Sequence, residues 1–295
     1  MILSCLLTVH IGSKACDACG CIVSNNNIGL LTDYRNNFFR TAYSHSRFET
    51  NPSHGHSHSQ DVFSRIESQI SLRPRSLESL RLSLHLPYGI NHRMTEGVFS
   101  GIQGLGDVRL VGNHTLFKKS EECDGIAIFI EAGGGVSIPT GKHHSQLLNQ
   151  NLPDNFNIGI GAWGAILQSN AVVSKGNSGI SMSNSFQRNG RNRDNYRFGH
   201  QYASQIIAYH QIDLKQLKIV PGLGVSFEHV GHNYNALDNR VPETGGKGLF
   251  LSASSQIMYS GWSIGLSYGI PVYQHYASGT NLSTGRFAAH LTYFF

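Results

Sequence analysis

The sequence predicts an all-β fold: a closed antiparallel transmembrane β-barrel of about twelve strands, with long extracellular loops and short periplasmic turns. Three observations lead there. The 295 residues include 33 Gly, 15 Phe and 12 Tyr, yet only 14% are charged, a balance that suits one large β structure better than two soluble domains. Apolar residues recur with period two in one segment after another, which puts them on one face of each strand. The connections between these segments alternate long and short along the whole chain, which gathers the long ones at one end of a closed wall. A large extracellular β-sandwich is the rival architecture, and it gives no reason for such segregation. No run of about eighteen apolar residues exists, so a membrane-spanning helix is excluded. The mean hydropathy of −0.20 is unremarkable for strands whose two faces differ. The net charge of +5 is spread without a basic block, which argues against a nucleic-acid partner.

The first strand is expected over about 38–48, followed by a long loop that holds His54, His56 and His58. In the second, Val62, Ser64, Ile66, Ser68, Ile70 and Leu72 share a face. A tight connection, Arg73 to Ser76, leads to the third, where Leu80, Leu82, Leu84 and Leu86 alternate with Arg81, Ser83 and His85. A long loop over about 88–104 precedes the fourth strand, with Val108, Leu110 and Leu116 opposite Asp107, Arg109 and Asn113. A short turn, 118–124, leads to the fifth at Ile126, Ile128 and Ile130, and a long loop, 139–155, to a sixth over 156–173. The turn Gly176-Asn177-Ser178 joins a seventh strand near 180–187. An eighth is expected over 196–210 and a ninth from Leu217 to Phe227. After another long loop, 228–246, come a tenth over 249–259, the hairpin turn Ser260-Gly261, and an eleventh with Trp262, Ile264, Leu266, Tyr268 and Ile270 on one face. The closing strand, Arg286 to Phe295, sets Phe287, Ala289, Leu291, Tyr293 and Phe295 against Arg286, His290 and Thr292. A terminal Phe with Tyr two residues before it resembles the closing strand of bacterial outer-membrane barrels, whose last residue is read by the insertion machinery, so Tyr293 and Phe295 are the expected insertion signal.

Ahead of the barrel, residues 1–15 combine a short apolar core, Ile2 to Leu7, with the small-residue exit Ser13-Lys14-Ala15, as in a secretory signal peptide lacking its basic start. The expected organisation is therefore a signal peptide over 1–15, a periplasmic cysteine-containing segment over 16–36 and the barrel over 37–295. Both termini lie on the short-turn side, which is the periplasmic side of a bacterial outer membrane.

Several stretches carry a family resemblance. Gly104-Leu105-Gly106-Asp107, Gly133-Gly134-Gly135-Val136-Ser137-Ile138-Pro139-Thr140-Gly141, Asp194-Asn195-Tyr196-Arg197-Phe198-Gly199 and Pro221-Gly222-Leu223-Gly224-Val225 are similar to the outer-membrane transporters grouped as the meta-pathway phenol-degradation family. The leading Cys16-x-x-Cys19-x-Cys21 resembles a variant of that family from Bacteroidetes-type bacteria. The resemblance implies a barrel that moves small hydrophobic or aromatic molecules across the outer membrane, with lipid, the insertion machinery and a small-molecule solute as partners. It supplies no catalytic residues.

The alternation itself nominates an interior. A charge turned to lipid would cost about 2 to 4 kcal/mol at the midplane, so Arg65, Glu67, Arg81, His85, Asp107, Arg109, Lys218, Glu228, Arg286 and His290 are expected to face the lumen, with Glu67 about opposite Arg81. They form either a salt-bridged plug or the wall of a solute path. His54, His56 and His58 would lie on one side of an extended segment, and imidazoles suit Zn or Cu; a flexible polar loop that happens to contain His is the alternative. Cys16, Cys19, Cys21 and Cys123 fit a thiolate metal site or, in an oxidising compartment, disulfides. These features motivate a second reading, a surface metal-binding or metal-transport barrel. No cofactor is required by the barrel itself. No nucleophile, base and acid set can be assembled and no H-E-x-x-H motif appears, so an enzyme is not expected.

Overall fold

The computed structural model describes residues 37–50, 58–120, 125–143 and 152–295. The strands are β1 (Phe38–Thr50), β2 (Ser59–Leu72), β3 (Leu80–Thr95), β4 (Val98–Leu105), β5 (Val108–Lys119), β6 (Ile126–Ile138), β7 (Gly164–Lys175), β8 (Ser178–Asn189), β9 (Gln201–His210), β10 (Ile212–Leu214), β11 (Leu217–Val230), β12 (Gly246–Tyr259), β13 (Trp262–Tyr276) and β14 (Asn281–Phe294). Each pairs antiparallel with the next around the wall, and β14 pairs with β1, so the sheet closes on itself. The strands β4 and β5 descend one after the other along β3 and act as one wall strand interrupted at Gly106-Asp107. The short β10 only completes the hairpin between β9 and β11. The result is a closed barrel of twelve wall strands.

The faces are inverted relative to a soluble protein. Along β3, Leu82, Leu86 and Ile90 are exposed while Arg81, Ser83, His85, Asn91 and Arg93 are buried. In β13 and β14, Ile264, Leu266, Ile270 and Leu291 point out, whereas Ser263, His290 and Thr292 point in. A sheet can expose an apolar face and bury a polar one without loss only where lipid lies outside. Exposed aromatics sit at both ends of the wall: Phe39, Tyr259, Trp262 and Tyr293 near the short turns, and Phe99, Trp163 and Tyr273 near the long loops. Such girdles belong at membrane–water interfaces.

Four expectations change. The loop expected over 88–104 is instead more wall: β3 runs on to Thr95 and turns at Glu96 and Gly97, which have φ of 50° and 82°. That is a two-residue hairpin of the kind that needs positive φ at both positions. The sixth strand begins at Gly164, not at 156; residues 154–156 form a single 3₁₀ turn, and Leu152, Phe156, Ile160 and Ala162 are buried. Their apolar spacing resembles a strand because they face an interior, but that interior is the lumen. The eighth strand begins at Gln201, since Tyr196 and Phe198 pack into the loop layer. The connection after β2 extends from Arg73 to Ser79, with Leu77 N–H donating to Pro74 O at 2.9 Å and Leu80 N–H to Leu77 O at 2.8 Å. This longer turn pairs Glu67 with Pro87, so Glu67 and Arg81 do not face each other.

Candidate solute path through the barrel

From the long-loop end inward, the first feature is aromatic. Phe48, Phe63, Leu152, Phe156, Val230, Phe250 and Tyr276 form one buried cluster, contributed by β1, β2, β11, β12, β13 and the segment between β6 and β7. Phe156, 0% exposed, lies with its ring centroid 4.9 Å from that of Phe63, which in turn is 5.9 Å from Phe48. The segment carrying Phe156 is tied to the wall by polar groups. Asn91 Nδ2 donates to Phe156 O at 2.9 Å, while the Asp107 carboxylate accepts from Gly141 N–H at 2.9 Å and Ile160 N–H at 2.8 Å. Gly141 and Gly159 cross so closely that a Cβ on either would come within 2.8 Å of the other's backbone, which is a reason for glycine at both. Burial pushes the Asp154 carboxyl of this segment up from its ordinary value. Loops 190–200 and 231–245 complete the cover, with Tyr196, Phe198, Asn233 and Thr244 packed beneath.

Among and below the aromatics the wall is charged, and each carboxylate holds an arginine. Arg93 grips Asp61 with two bonds of 2.6 Å and lies over the Phe156 ring at 5.1 Å. Arg286 binds Glu228, which also accepts from the Tyr276 hydroxyl, and its guanidinium sits 4.0 Å from the Phe250 centroid. Glu67 accepts from Arg109, and pairs with His85 Nδ1 at 2.9 Å. Glu131, 1% exposed, holds Arg73 at 3.3 Å, Arg81 at 3.7 Å and Asn170 Nδ2 at 3.0 Å. Buried charges survive only with such satisfaction.

The side of the wall from β8 to β14 carries many small inward residues beside the Glu228–Arg286 pair, His290, Ile207, Tyr209 and Val220. Ser181, Ser183 and Ser185 of β8, Gly222 and Gly224 of β11, Ser254 of β12, Ser267 of β13 and Ala288 of β14 occupy its inward rows. At the short-turn end a cavity of about 690 Å³ opens between Arg73, Arg75, Glu78, Lys118, Phe129 and Phe295.

Of the residues nominated from sequence, Arg65, Glu67, Arg81, His85, Arg109, Glu228, Arg286 and His290 lie on inward rows. Asp107 instead clasps the inserted segment, and Lys218 sits at the mouth, half exposed, 4.0 Å from Asp213. His290 is buried with no hydrogen-bond partner on either ring nitrogen among the described residues, and it packs where a Cβ on Gly265 would be 1.9 Å from its ring. Tyr293 and Phe295 stack with centroids 6.2 Å apart on the outer surface. His58 is exposed at the foot of β2. His54, His56, Cys16, Cys19, Cys21 and Cys123 lie outside the described residues, among which no group of three metal-ligating side chains occurs. Sequence reasoning missed Asp61, Arg93, Glu131 and the aromatic cluster. Glu131 was legible as the inward neighbour of Ile130, and Phe156 was not, since nothing in its surroundings marks a loop that turns into a lumen. Two G-x-S-x-G strings, Gly261–Gly265 and Gly265–Gly269, lie flat in β13 without the strand-to-helix elbow that would expose a nucleophile.

The barrel as a whole superposes on an outer membrane channel from Pseudomonas putida F1 with a TM-score of 0.68 over 92% of this chain and 98% of that one, at 12% identity. The chain has the fold of a bacterial outer-membrane β-barrel. It also matches the β domain of the Bordetella autotransporter BrkA, with a TM-score of 0.51 over 88% of this chain and all of that one, again at 12% identity. At such identities the likeness is one of fold. No protein-family model matches the sequence, and no curated protein sequence matches it.

Proposed function

We propose that this outer-membrane barrel is a passive channel for small aromatic molecules, with its termini on the periplasmic side. The observation that carries this reading is the inward-facing cluster of Phe48, Phe63, Phe156, Phe250 and Tyr276, set beside buried arginine–carboxylate pairs. A lumen lined by polar groups alone gives an aromatic solute no apolar face to rest on. A solute ring in this lumen, by contrast, gains from contact with the aromatic cluster and from Arg93 and Arg286, which already lie over two of the faces. Burial of Phe156 and Leu152 is worth about 1.5 to 3 kcal/mol each, small enough for an aromatic solute to compete for the same surface.

Uptake into liposomes containing the purified protein tests this. Phenyl β-glucoside should enter faster than methyl β-glucoside despite its greater size. Equal rates, or faster entry of the methyl compound, would show that the aromatic cluster plays no part in passage.

A further inference from the structure

We infer that the passage selects small aromatic anions, with Arg65 as the residue that receives the anionic group. This rests on the channel reading above and goes on to name the charge of the solute. On the inward rows of the wall strands, Arg40, Arg65, Arg81, Arg93, Arg109 and Arg286 face only Asp61, Glu67, Glu131 and Glu228. Arg73 and Asp107, at the two ends of the wall, offset each other. The lumen therefore carries a positive excess, and within low-dielectric walls such an excess is focused on whatever passes. Rings of arginine and lysine are the general device by which pores favour anions.

Arg65 is where this excess can act. The carboxylates nearest to it are committed elsewhere: Glu67 holds Arg109 through one oxygen and His85 through the other, and both oxygens of Asp107 accept backbone N–H groups. Arg65 makes no hydrogen bond or ion pair with a described residue, and it remains partly exposed. Residues 51–57 and 144–151, in the two connections outside the described residues at the long-loop end, contain no Asp or Glu that could neutralise it. Its neighbours across the sheet are Ser44 and Gly89, and continuing around the wall from Ser44 come Ala288, Ser267 and Ser254. These small side chains leave the guanidinium unobstructed on that side. Along β2 the preceding inward residue is Phe63, a member of the aromatic cluster. A solute whose ring lies against Phe63 thus places a carboxylate or sulfonate one step along the strand, at Arg65, where the planar guanidinium can bind it with two parallel hydrogen bonds.

The test uses permanently charged probes and the full chain in liposomes. Benzenesulfonate should enter several-fold faster than phenyltrimethylammonium, with phenyl β-glucoside between them. In Arg65→Gln the anion-to-cation ratio should fall toward unity while glucoside entry is unchanged, and Arg65→Lys should retain most of the ratio. The wild-type ratio decides the sign even if Arg65→Gln does not fold. Should the glucoside enter while the cation matches or outruns the anion, or should Arg65→Gln leave the ratio untouched, the inference fails and the channel reading stands. Entry of none of the three above protein-free liposomes would remove both.

Discussion

At the scale of residues, the interior is organised by carboxylates that each hold a specific arginine. The register decides which pairs exist. With Glu67 opposite Pro87, its charge goes to Arg109 and His85, and Arg81 goes to Glu131. Removing one member of such a buried pair costs about 3 to 5 kcal/mol because the other is left uncompensated. Glu131→Gln and Arg81→Met should therefore couple by more than about 0.5 kcal/mol in a double-mutant cycle, whereas Glu67→Gln and Arg81→Met should be additive. Urea unfolding of the detergent-folded barrel measures both, and the reverse pattern would mean that the β2–β3 register is wrong. The direction in which these side chains point was legible in the sequence, because period two fixes the face of Arg81 and His85 whatever the pairing. Their partners were not, since the pairing depends on the turn from Arg73 to Ser79, where two overlapping hydrogen-bonded turns lengthen a connection that looks tight.

At the scale of elements, strands and their order were largely visible and the loops were not. A strand such as β13 declares itself through Trp262, Ile264, Leu266, Tyr268 and Ile270, all turned to lipid. The segment after β6 is different. Ile158, Ile160 and Ala162 keep the strand-like alternation, yet they end in a lumen, and the cue that separates the two outcomes is the glycine crossing at Gly141 and Gly159, which only the folded neighbour explains. The long span from Tyr88 to Gly104 misled in the other direction: its polar residues Asn91 and Arg93 face the interior of a tall wall and are not loop residues. The inserted segment makes a prediction of its own. Because the wall ladder does not run through it, Phe156→Ala should leave the barrel folded while conductance in planar bilayers rises several-fold. An unchanged conductance would mean that Phe156 does not narrow the path.

At the scale of the whole molecule, most inward charges lie on β1 to β6 and most small inward residues on β8 to β14, with an aromatic cluster toward the long loops and a mixed cavity at the short-turn end. The long charged side chains of β1 to β6 face rows on β8 to β14 where Ser and Gly are frequent, although Glu228 and Arg286 put one charged pair on that side as well. The compartment follows from the inverted faces and the two aromatic girdles, both of which composition and alternation foreshadow. The aromatic cluster could not be read in advance, because Phe48, Phe63, Phe250 and Tyr276 come from distant strands and meet only when the sheet closes. It is also where the proposed passage makes its first contact with a solute, and binding there can be observed directly. Crystals soaked with 4-iodophenyl β-glucoside should show the anomalous signal of iodine inside the barrel, among Phe48, Phe63, Phe250 and Tyr276. Iodine found solely on the lipid-facing surface, with none among these rings at saturating probe, would contradict the claim that aromatic molecules pass through this lumen.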